Sequence, residues 1–161
     1  MPEQNNFEPE QNSFDKNWRR QQELKGRKYA NAIYQEYVQV VGINREKFDR
    51  KNGEVHLLDK HYGIDVELTL ISGQILTCQE KFLSYDFANY NTVTFEYMQN
   101  PLTGEKGDWF KLCADIYFVA YFNKEGDGFC KWAILDLAWL KIATDRDKVF
   151  WYKQQNQRDG A

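Results

Sequence analysis

Long apolar runs are absent from this 161-residue sequence, and none approaches the roughly 18 consecutive apolar residues that a membrane-spanning helix needs. The N-terminal segment also lacks the basic start and apolar centre of a signal peptide. Cysteine is scarce: there are three residues and no C-x-x-C pair, which argues against a disulfide framework or a zinc site. We therefore expect a soluble, cytoplasmic protein that does not bind membranes, with Cys78, Cys113 and Cys130 as buried free thiols.

Two motifs of common hydrolases are missing as well. The chain has no G-x-x-x-x-G-K-[ST] phosphate loop and no G-x-S-x-G turn, so P-loop nucleotide hydrolysis and serine-type hydrolysis have no support. Positive charge is not in excess either, since the formal net charge is −3 and the isoelectric point is about 5.5. That balance argues against non-specific nucleic-acid binding, which depends on phosphate neutralisation by Lys and Arg. Basic residues are nevertheless concentrated in segments 16–28 and 45–61.

The sequence is rich in residues that build a core. Hydrophobic residues make up 42% of the chain and aromatic residues 16%, and the length favours a single domain. Residues 1–15 are rich in Asn, Gln and Glu, a composition typical of a disordered arm. We expect the folded domain to occupy residues 16–152 and a polar tail to occupy residues 153–161.

Apolar periodicity predicts a helix, then strands, then a second helix. Spacings of three and four predict the first helix from Trp18 to Val41, with Gly42 as its stop. Strict alternation predicts a strand over 64–70, and the turn Ser72–Gln74 connects it to a returning strand over 75–82. This order favours an α/β or α+β sandwich over an all-β barrel. Further predictions are strands at 54–58, 92–98, 115–122 and 130–135, a short helix at 109–114, and a helix capped by Asp136 that ends near Ala143.

The predicted hairpin brings polar residues towards one point. Gln79 and Lys81 share a face of the returning strand because strand side chains alternate with a period of two, and we expect Asp65 to converge on them. Magnesium takes hard oxygen ligands, usually one or two carboxylates completed by water and phosphate. Asp65 would supply the carboxylate, Gln79 its side-chain carbonyl and Glu80 its backbone carbonyl. The ammonium group of Lys81 would stabilise charge that develops on a phosphate.

The pattern Gly63–Asp65, a glycine turn and Gln79–Phe82 resembles the PD-(D/E)XK nuclease superfamily, in particular branches with glutamine in the acidic position before x-Lys. The segments GDWF and ADIYFVAYF also resemble a stretch that follows the catalytic hairpin in some members. The resemblance implies an α/β fold of the restriction-endonuclease-like type, in which a mixed β-sheet is flanked by helices in one domain. Glu36 matches the position of a helix glutamate that joins the metal shell in that superfamily.

The same resemblance implies a magnesium-dependent endonuclease that hydrolyses phosphodiester bonds in DNA, with Mn²⁺ as a substitute cation. Asp65, Gln79, Lys81 and Glu36 would be the catalytic residues, and Asp65, Gln79, Glu80 and Glu36 the metal ligands. The small domain leaves little room for a specificity module, so we expect recognition of DNA structure rather than sequence. A homodimer would suit the cutting of both strands.

Two other interpretations stay open. In the first, the domain keeps the nuclease fold without the chemistry and serves as a binding module for a nucleic acid or a protein. The neutral Gln79 and the acidic charge balance favour it. In the second, the chain is an unrelated α+β protein in which Asp65 and Lys81 do not approach each other, and the polar residues of the hairpin only face solvent.

Overall fold

The computed structural model describes residues 11–46, 61–90, 92–100 and 102–146. Two short 3₁₀ turns, Tyr85–Phe87 and Asp108–Phe110, lie between the longer elements. The helices and strands, in chain order, are α1 (Gln11–Tyr37), β1 (Val40–Asn44), β2 (Val66–Leu70), β3 (Ile75–Leu83), β4 (Met98–Asn100), β5 (Glu105–Lys106), β6 (Ile116–Phe122), β7 (Phe129–Asp136) and α2 (Leu137–Asp145).

The described residues form a mixed five-stranded sheet with helices packed on it, which makes the domain an α/β unit. The strand order is β1-β2-β3-β6-β7. Strands β3 and β6 run parallel, and the other neighbouring pairs are antiparallel. The long connection from β3 to β6, residues 84–115, carries the 3₁₀ turns and a separate small sheet of β4 and β5.

Helices α1 and α2 cover opposite faces of the sheet. Ala30 and Tyr34 of α1 pack with a buried cluster that includes Cys78 and Phe118, whereas Leu137 of α2 belongs to the cluster around Tyr117 on the other face. Strand β6 is therefore buried from both sides, which explains why its sequence IYFVAYF is apolar at almost every position. The side chains of β3 alternate between the two faces of the sheet, as predicted.

The first helix ends earlier than its apolar spacing predicts. It stops at Tyr37, and Gln39 has a φ of 57°, a left-handed conformation that turns the chain out of the helix. Val40 and Val41 form the start of the edge strand β1 instead of a last helical turn, so the predicted end at Val41 is wrong. The helix begins at Gln11, inside the segment assigned to the disordered arm from its composition.

Local turn and cap chemistry is confirmed at two places. The β2–β3 hairpin closes through hydrogen bonds between Leu70 and the turn, from Leu70 N to Gln74 O (2.8 Å) and from Gly73 N to Leu70 O (2.9 Å). Asp136 caps α2 by accepting a hydrogen bond from Trp139 N at 2.8 Å. Residues 92–96 are irregular rather than a strand, and the predicted helix at 109–114 is a 3₁₀ turn. The predicted strand at 54–58, the polar tail and residues 1–10 of the arm lie outside the described residues.

The three cysteines differ in exposure. Cys78 is fully buried in the α1-facing cluster, but Cys113 and Cys130 are exposed, so the prediction of three buried thiols is wrong for these two. Cys113 lies in the connection that precedes β6, and Cys130 lies on β7, an edge strand of the five-stranded sheet. Among the described residues, none of the helices is long and apolar enough to cross a membrane.

Candidate active site

Asp65 and Gln79 are in direct contact at the open end of the β2–β3 hairpin, opposite its turn. The hairpin pairs Val66 with Cys78, so one further step of the register places Asp65 opposite Gln79. Oδ2 of Asp65 accepts hydrogen bonds from Gln79 Nε2 at 2.6 Å and from the backbone N–H of Glu80 at 2.7 Å. The backbone N–H of Asp65 in turn donates to Cys78 O at 2.9 Å. The hairpin thus fixes both the backbone and the carboxylate of Asp65.

Lys81 lies on the same face of β3 as Gln79, and both line one cleft with a volume of about 250 Å³. No carboxylate of a described residue lies within salt-bridge distance of Lys81, so Lys81 does not pair directly with Asp65; it shares the cleft with Gln79, which contacts Asp65. Pockets for drug-sized ligands measure about 300–1,000 Å³. The cleft is smaller than these, a size that suits a single ionic group with its waters.

The side-chain oxygen of Gln79 is an unsatisfied acceptor. Gln79 Oε1 is buried and has no hydrogen-bond partner among the described residues. It lies against Gly63, where an added Cβ would stand 2.9 Å from Oε1 and 2.8 Å from a methyl carbon of Leu112. Gly63 has a φ of 56°, so both its conformation and its close contacts require glycine. A buried acceptor without a donor costs free energy unless another group completes it.

The carboxylate of Glu80 points away from the cleft, towards α1. Arg45 binds it through two hydrogen bonds, Nε to Oε2 at 2.9 Å and Nη2 to Oε1 at 2.6 Å, and the Tyr34 hydroxyl donates to Oε1 at 2.9 Å. The Glu80 side chain is 3% exposed. Arg45 Nη1 also donates to Asn31 at 2.7 Å, which joins α1, the segment after β1 and β3. Only the backbone of Glu80 faces Asp65 and Gln79, the orientation expected for a backbone ligand.

Glu36 is not brought into this group. It is exposed on α1, the helix that covers the opposite face of the sheet, and it does not line the cleft. A hydrogen bond with the Glu36 carboxylate raises the pKa of the neighbouring Tyr37. The predicted site therefore assembles from the hairpin alone, without the predicted helix glutamate.

The connection between β3 and β6 adds charged residues that lie outside the sequence motif. Glu96, Asp108 and Lys111 line the cleft, and Lys111 has no salt bridge within the described residues. Gly107 brings segments 96–97 and 107–109 together: its N–H donates to Tyr97 O at 3.0 Å, and an added Cβ would stand 2.4 Å from Glu96 O. In the sequence, the local feature that marks the close contact of Gly107 with Glu96 is the Gly-Asp pair at the start of GDWF.

Tyr117 completes the floor of the cleft. It pairs with Gln79 across the parallel β3–β6 ladder and is 3% exposed. Burial raises the pKa of Tyr117, and the nearby charge of Asp108 raises it further. Phe95 packs against its ring with a centroid distance of 4.8 Å. Tyr117 is thus a rigidly held phenol that keeps its proton at neutral pH.

A second hollow, of about 350 Å³, lies near the C-terminal ends of β3 and β6. Asp86 and Lys124 are its charged lining residues, and none of the residues predicted to form a site lines it. It is larger but more open than the cleft at Gln79. The smaller cleft is therefore the candidate site, because Gln79 and Lys81 line it and Gln79 contacts Asp65.

The donor set at this cleft suits a hard cation only in part. Asp65 provides one carboxylate, and the described residues contain no group of three or more His, Cys, Asp or Glu side chains that could hold a metal ion. The Glu80 carbonyl lies in the same contact, since Gln79 Nε2 lies 2.6 Å from Asp65 Oδ2 and 3.5 Å from Glu80 O, whereas the buried Gln79 Oε1 is at the other end of the amide, against Gly63. One carboxylate with neutral oxygens and water is a set that magnesium accepts.

Comparison of the chain with protein-family models, curated proteins and solved structures found no match.

Proposed function

We propose that this protein is a magnesium-dependent endonuclease that hydrolyses phosphodiester bonds in DNA and recognises DNA structure rather than sequence. The observation that carries the proposal is the contact between Asp65 and Gln79, made at 2.6 Å beside a cleft that Lys81 lines. These are the three residues at which the sequence resembles the PD-(D/E)XK motif. In the proposal, the fold is of the restriction-endonuclease-like type.

The strand arrangement supports that fold. Three antiparallel strands, β1 to β3, precede a strand that joins β3 in parallel, and the motif residues lie at the start of β2 and within β3. Backbone register, rather than long side chains from distant loops, holds the site together. A rigid hairpin is a suitable support for a reaction that depends on positioning.

Three oxygens of the hairpin would hold the cation: the Asp65 carboxylate, Gln79 Oε1 and the Glu80 backbone carbonyl. Bound magnesium supplies a Lewis acid next to the phosphate and lowers the pKa of a coordinated water. The buried, unpartnered Oε1 supports Gln79 as a ligand. To present that oxygen beside Asp65, the amide has to turn over from its present orientation. Mn²⁺ would bind the same oxygens as a substitute.

Lys81 would bind the phosphate directly. Its ammonium group has no internal ion pair within the described residues, so a substrate phosphate would not have to displace a carboxylate. An ammonium group at this position stabilises the extra negative charge of the transition state. Glu36, which is exposed on the far side of the sheet, has no part in the proposed site. Assembly as a homodimer to cut both strands stays a prediction.

Cleavage of supercoiled plasmid and of branched DNA in Mg²⁺ or Mn²⁺ tests the proposal. We expect cleavage by the wild type, and a loss of about 100-fold or more in rate for Asp65→Ala and Lys81→Ala, the scale of removing one transition-state contact. Asp86→Ala and Lys124→Ala, which change the same residue types in the other hollow, serve as matched controls and should cleave like the wild type. Equal rates for all five proteins would refute the assignment.

A non-catalytic binding module is the second candidate, and one observation favours it. Asp65 is already satisfied by the Gln79 amide and the Glu80 N–H, so the hairpin is stable without a cation. In that case DNA or a protein partner would bind without being cleaved. Calorimetric titration with Mg²⁺ and Mn²⁺ separates the two functions, since a folded protein that binds neither cation would be the module.

A further inference from the structure

Besides Lys81, two residues that line the candidate cleft carry a side-chain donor without a partner in the described part of the chain. Tyr117 is 3% exposed as a residue, but its hydroxyl is not among the fully buried polar atoms and makes no hydrogen bond there, and Lys111 makes no salt bridge. Both belong to the cleft at Gln79. Because neither donor is used within the described part of the chain, both are available to a ligand that enters the cleft.

We propose that the Tyr117 hydroxyl and the Lys111 ammonium group form a phosphate-binding subsite, which holds a non-bridging oxygen of a DNA phosphate next to the Asp65–Gln79 pair. This inference rests on the proposed function and assigns two residues that the sequence motif does not contain. In this proposal, one group of residues at the cleft binds the cation and another binds the phosphate. The hairpin oxygens hold the cation, and Lys81, Lys111 and Tyr117 present donors to the phosphate.

The position of Tyr117 supports this role. It is the β6 neighbour of Gln79, and Phe95 fixes its ring at a centroid distance of 4.8 Å. A neutral phenol donates a hydrogen bond to an anion without the desolvation cost of a buried charge. Burial keeps this hydroxyl protonated by raising its pKa. The hydroxyl of Tyr121, four residues along β6 and on the same face, is already used by a 2.9 Å hydrogen bond to Thr92 O.

The charges around the cleft add a condition. The carboxylates of Asp65, Glu96 and Asp108 outnumber the ammonium groups of Lys81 and Lys111, so the cleft alone repels an anion. A divalent cation reverses that balance. Phosphate binding in this subsite therefore requires the cation, and DNA should bind weakly when divalent ions are removed.

DNA binding measured by fluorescence anisotropy in Ca²⁺ at several salt concentrations, together with single-turnover cleavage in Mg²⁺, tests the subsite. Tyr117→Phe should weaken binding about tenfold, the loss of one hydrogen bond to a charged group, without changing the salt dependence. Lys111→Ala should also weaken binding, and it should reduce the slope of log K against log salt by about 0.9 because one phosphate contact is lost. Circular dichroism and thermal unfolding verify that both variants are folded.

Tyr121→Phe and Lys124→Ala are the matched controls, and both should bind and cleave DNA like the wild type. If the wild type cleaves DNA while Tyr117→Phe and Lys111→Ala match it in affinity, salt slope and rate, the subsite is refuted and the proposed function stands. Strong DNA binding by the wild type in EDTA would likewise refute the cation requirement. A folded wild type that neither binds nor cleaves DNA would refute the proposed function and the subsite together.

Discussion

Gln79 Nε2 donates a hydrogen bond to Asp65 Oδ2 over 2.6 Å, and this contact joins the two residues that the sequence motif separates by a whole hairpin. The same nitrogen lies 3.5 Å from Glu80 O, so an N–H donor stands where two oxygens converge. A donor held in that position carries the partial positive charge that a cation would supply. The contact is therefore the metal-free counterpart of the proposed cation site.

Replacing Gln79 with glutamate tests that relationship. Gln79→Glu removes the hydrogen bond to Asp65 and places two carboxylates in contact, so it should lower the free energy of unfolding by about 2 kcal/mol without divalent ions. Saturating Mg²⁺ should restore that loss, because two carboxylates bind the cation more strongly than one. Urea unfolding with and without Mg²⁺ measures both effects. Gln74→Glu in the exposed turn is the control, and an equal response of the two variants to Mg²⁺ would contradict the account.

Gly63 should tolerate no side chain. Gly63→Ala places an alanine in a left-handed conformation, which costs about 1–2 kcal/mol, and it adds a Cβ that clashes with Leu112 and Gln79 Oε1. Gly73 also has a positive φ, of 84°, but an added Cβ there meets no atom within 4 Å. Gly73→Ala therefore isolates the cost of the backbone conformation. We expect Gly63→Ala to be less stable than Gly73→Ala in urea unfolding and to bind Mg²⁺ more weakly in calorimetry. Equal values for the two variants would show that the contact with Gln79 has no consequence.

The Arg45–Glu80 pair should be the more costly of two ion pairs to break. Its side chains are 10% and 3% exposed, and Arg45→Met would leave the Glu80 carboxylate buried with only Tyr34 as a donor. Such a loss typically costs about 3–5 kcal/mol, and Glu80→Gln in the Arg45→Met background should recover part of it. Breaking the exposed pair Arg27–Glu23 by Glu23→Gln should cost at most about 1 kcal/mol. Urea denaturation of the wild type and these variants gives the free energies, and similar costs for the two pairs would contradict the buried network.

Alkaline pH should destabilise the protein because two buried groups, the Tyr34 phenol and the Cys78 thiol, would have to lose their protons. Burial raises the pKa of Tyr34 and of Cys78, so the folded state holds these protons more tightly than the unfolded chain. Their contribution to stability is complete below the unfolded pKa values of 10.0 and 9.0, and it is lost as pH rises above them. Tyr34→Phe should therefore reduce the slope of unfolding free energy against pH, above pH 10, by about 1.4 kcal/mol per unit. Urea unfolding from about pH 8 to about pH 11 measures it, and an unchanged slope would contradict the burial argument.

The hairpin is predictable from sequence because its structure is local. Strict alternation and a glycine turn define β2 and β3, and the turn sets the register that places Asp65 opposite Gln79. Edge strand β1 is not predictable in the same way, because Val38 and Val41 fit the helical spacing as well as a strand, and only the turn at Gln39 decides between them. Local pattern is ambiguous wherever two elements are separated by so short a connection.

The rest of the cleft depends on contacts that sequence spacing does not encode. Asp108 and Lys111 reach the site because the connection between β3 and β6 folds back over the sheet, which Gly107 permits through its close contact with Glu96. The apolar pattern of β6 predicts Tyr117 as a core residue, and it is one by burial, but it also lines the cleft. Glu36 is predicted only from its position along the chain, and it lies exposed on α1, on the opposite face of the sheet from the cleft.

The most direct test of the central claim is a crystal structure of the protein soaked in Mn²⁺, with the cation located by its anomalous scattering. The account predicts one peak within bonding distance of the Asp65 carboxylate, the Glu80 carbonyl and Gln79 Oε1, with the Gln79 amide turned so that its oxygen replaces its nitrogen beside Asp65. Such a peak should be absent from Asp65→Ala crystals. A fully soaked crystal in which Gln79 Nε2 still donates to Asp65, with no peak between them, would contradict the account.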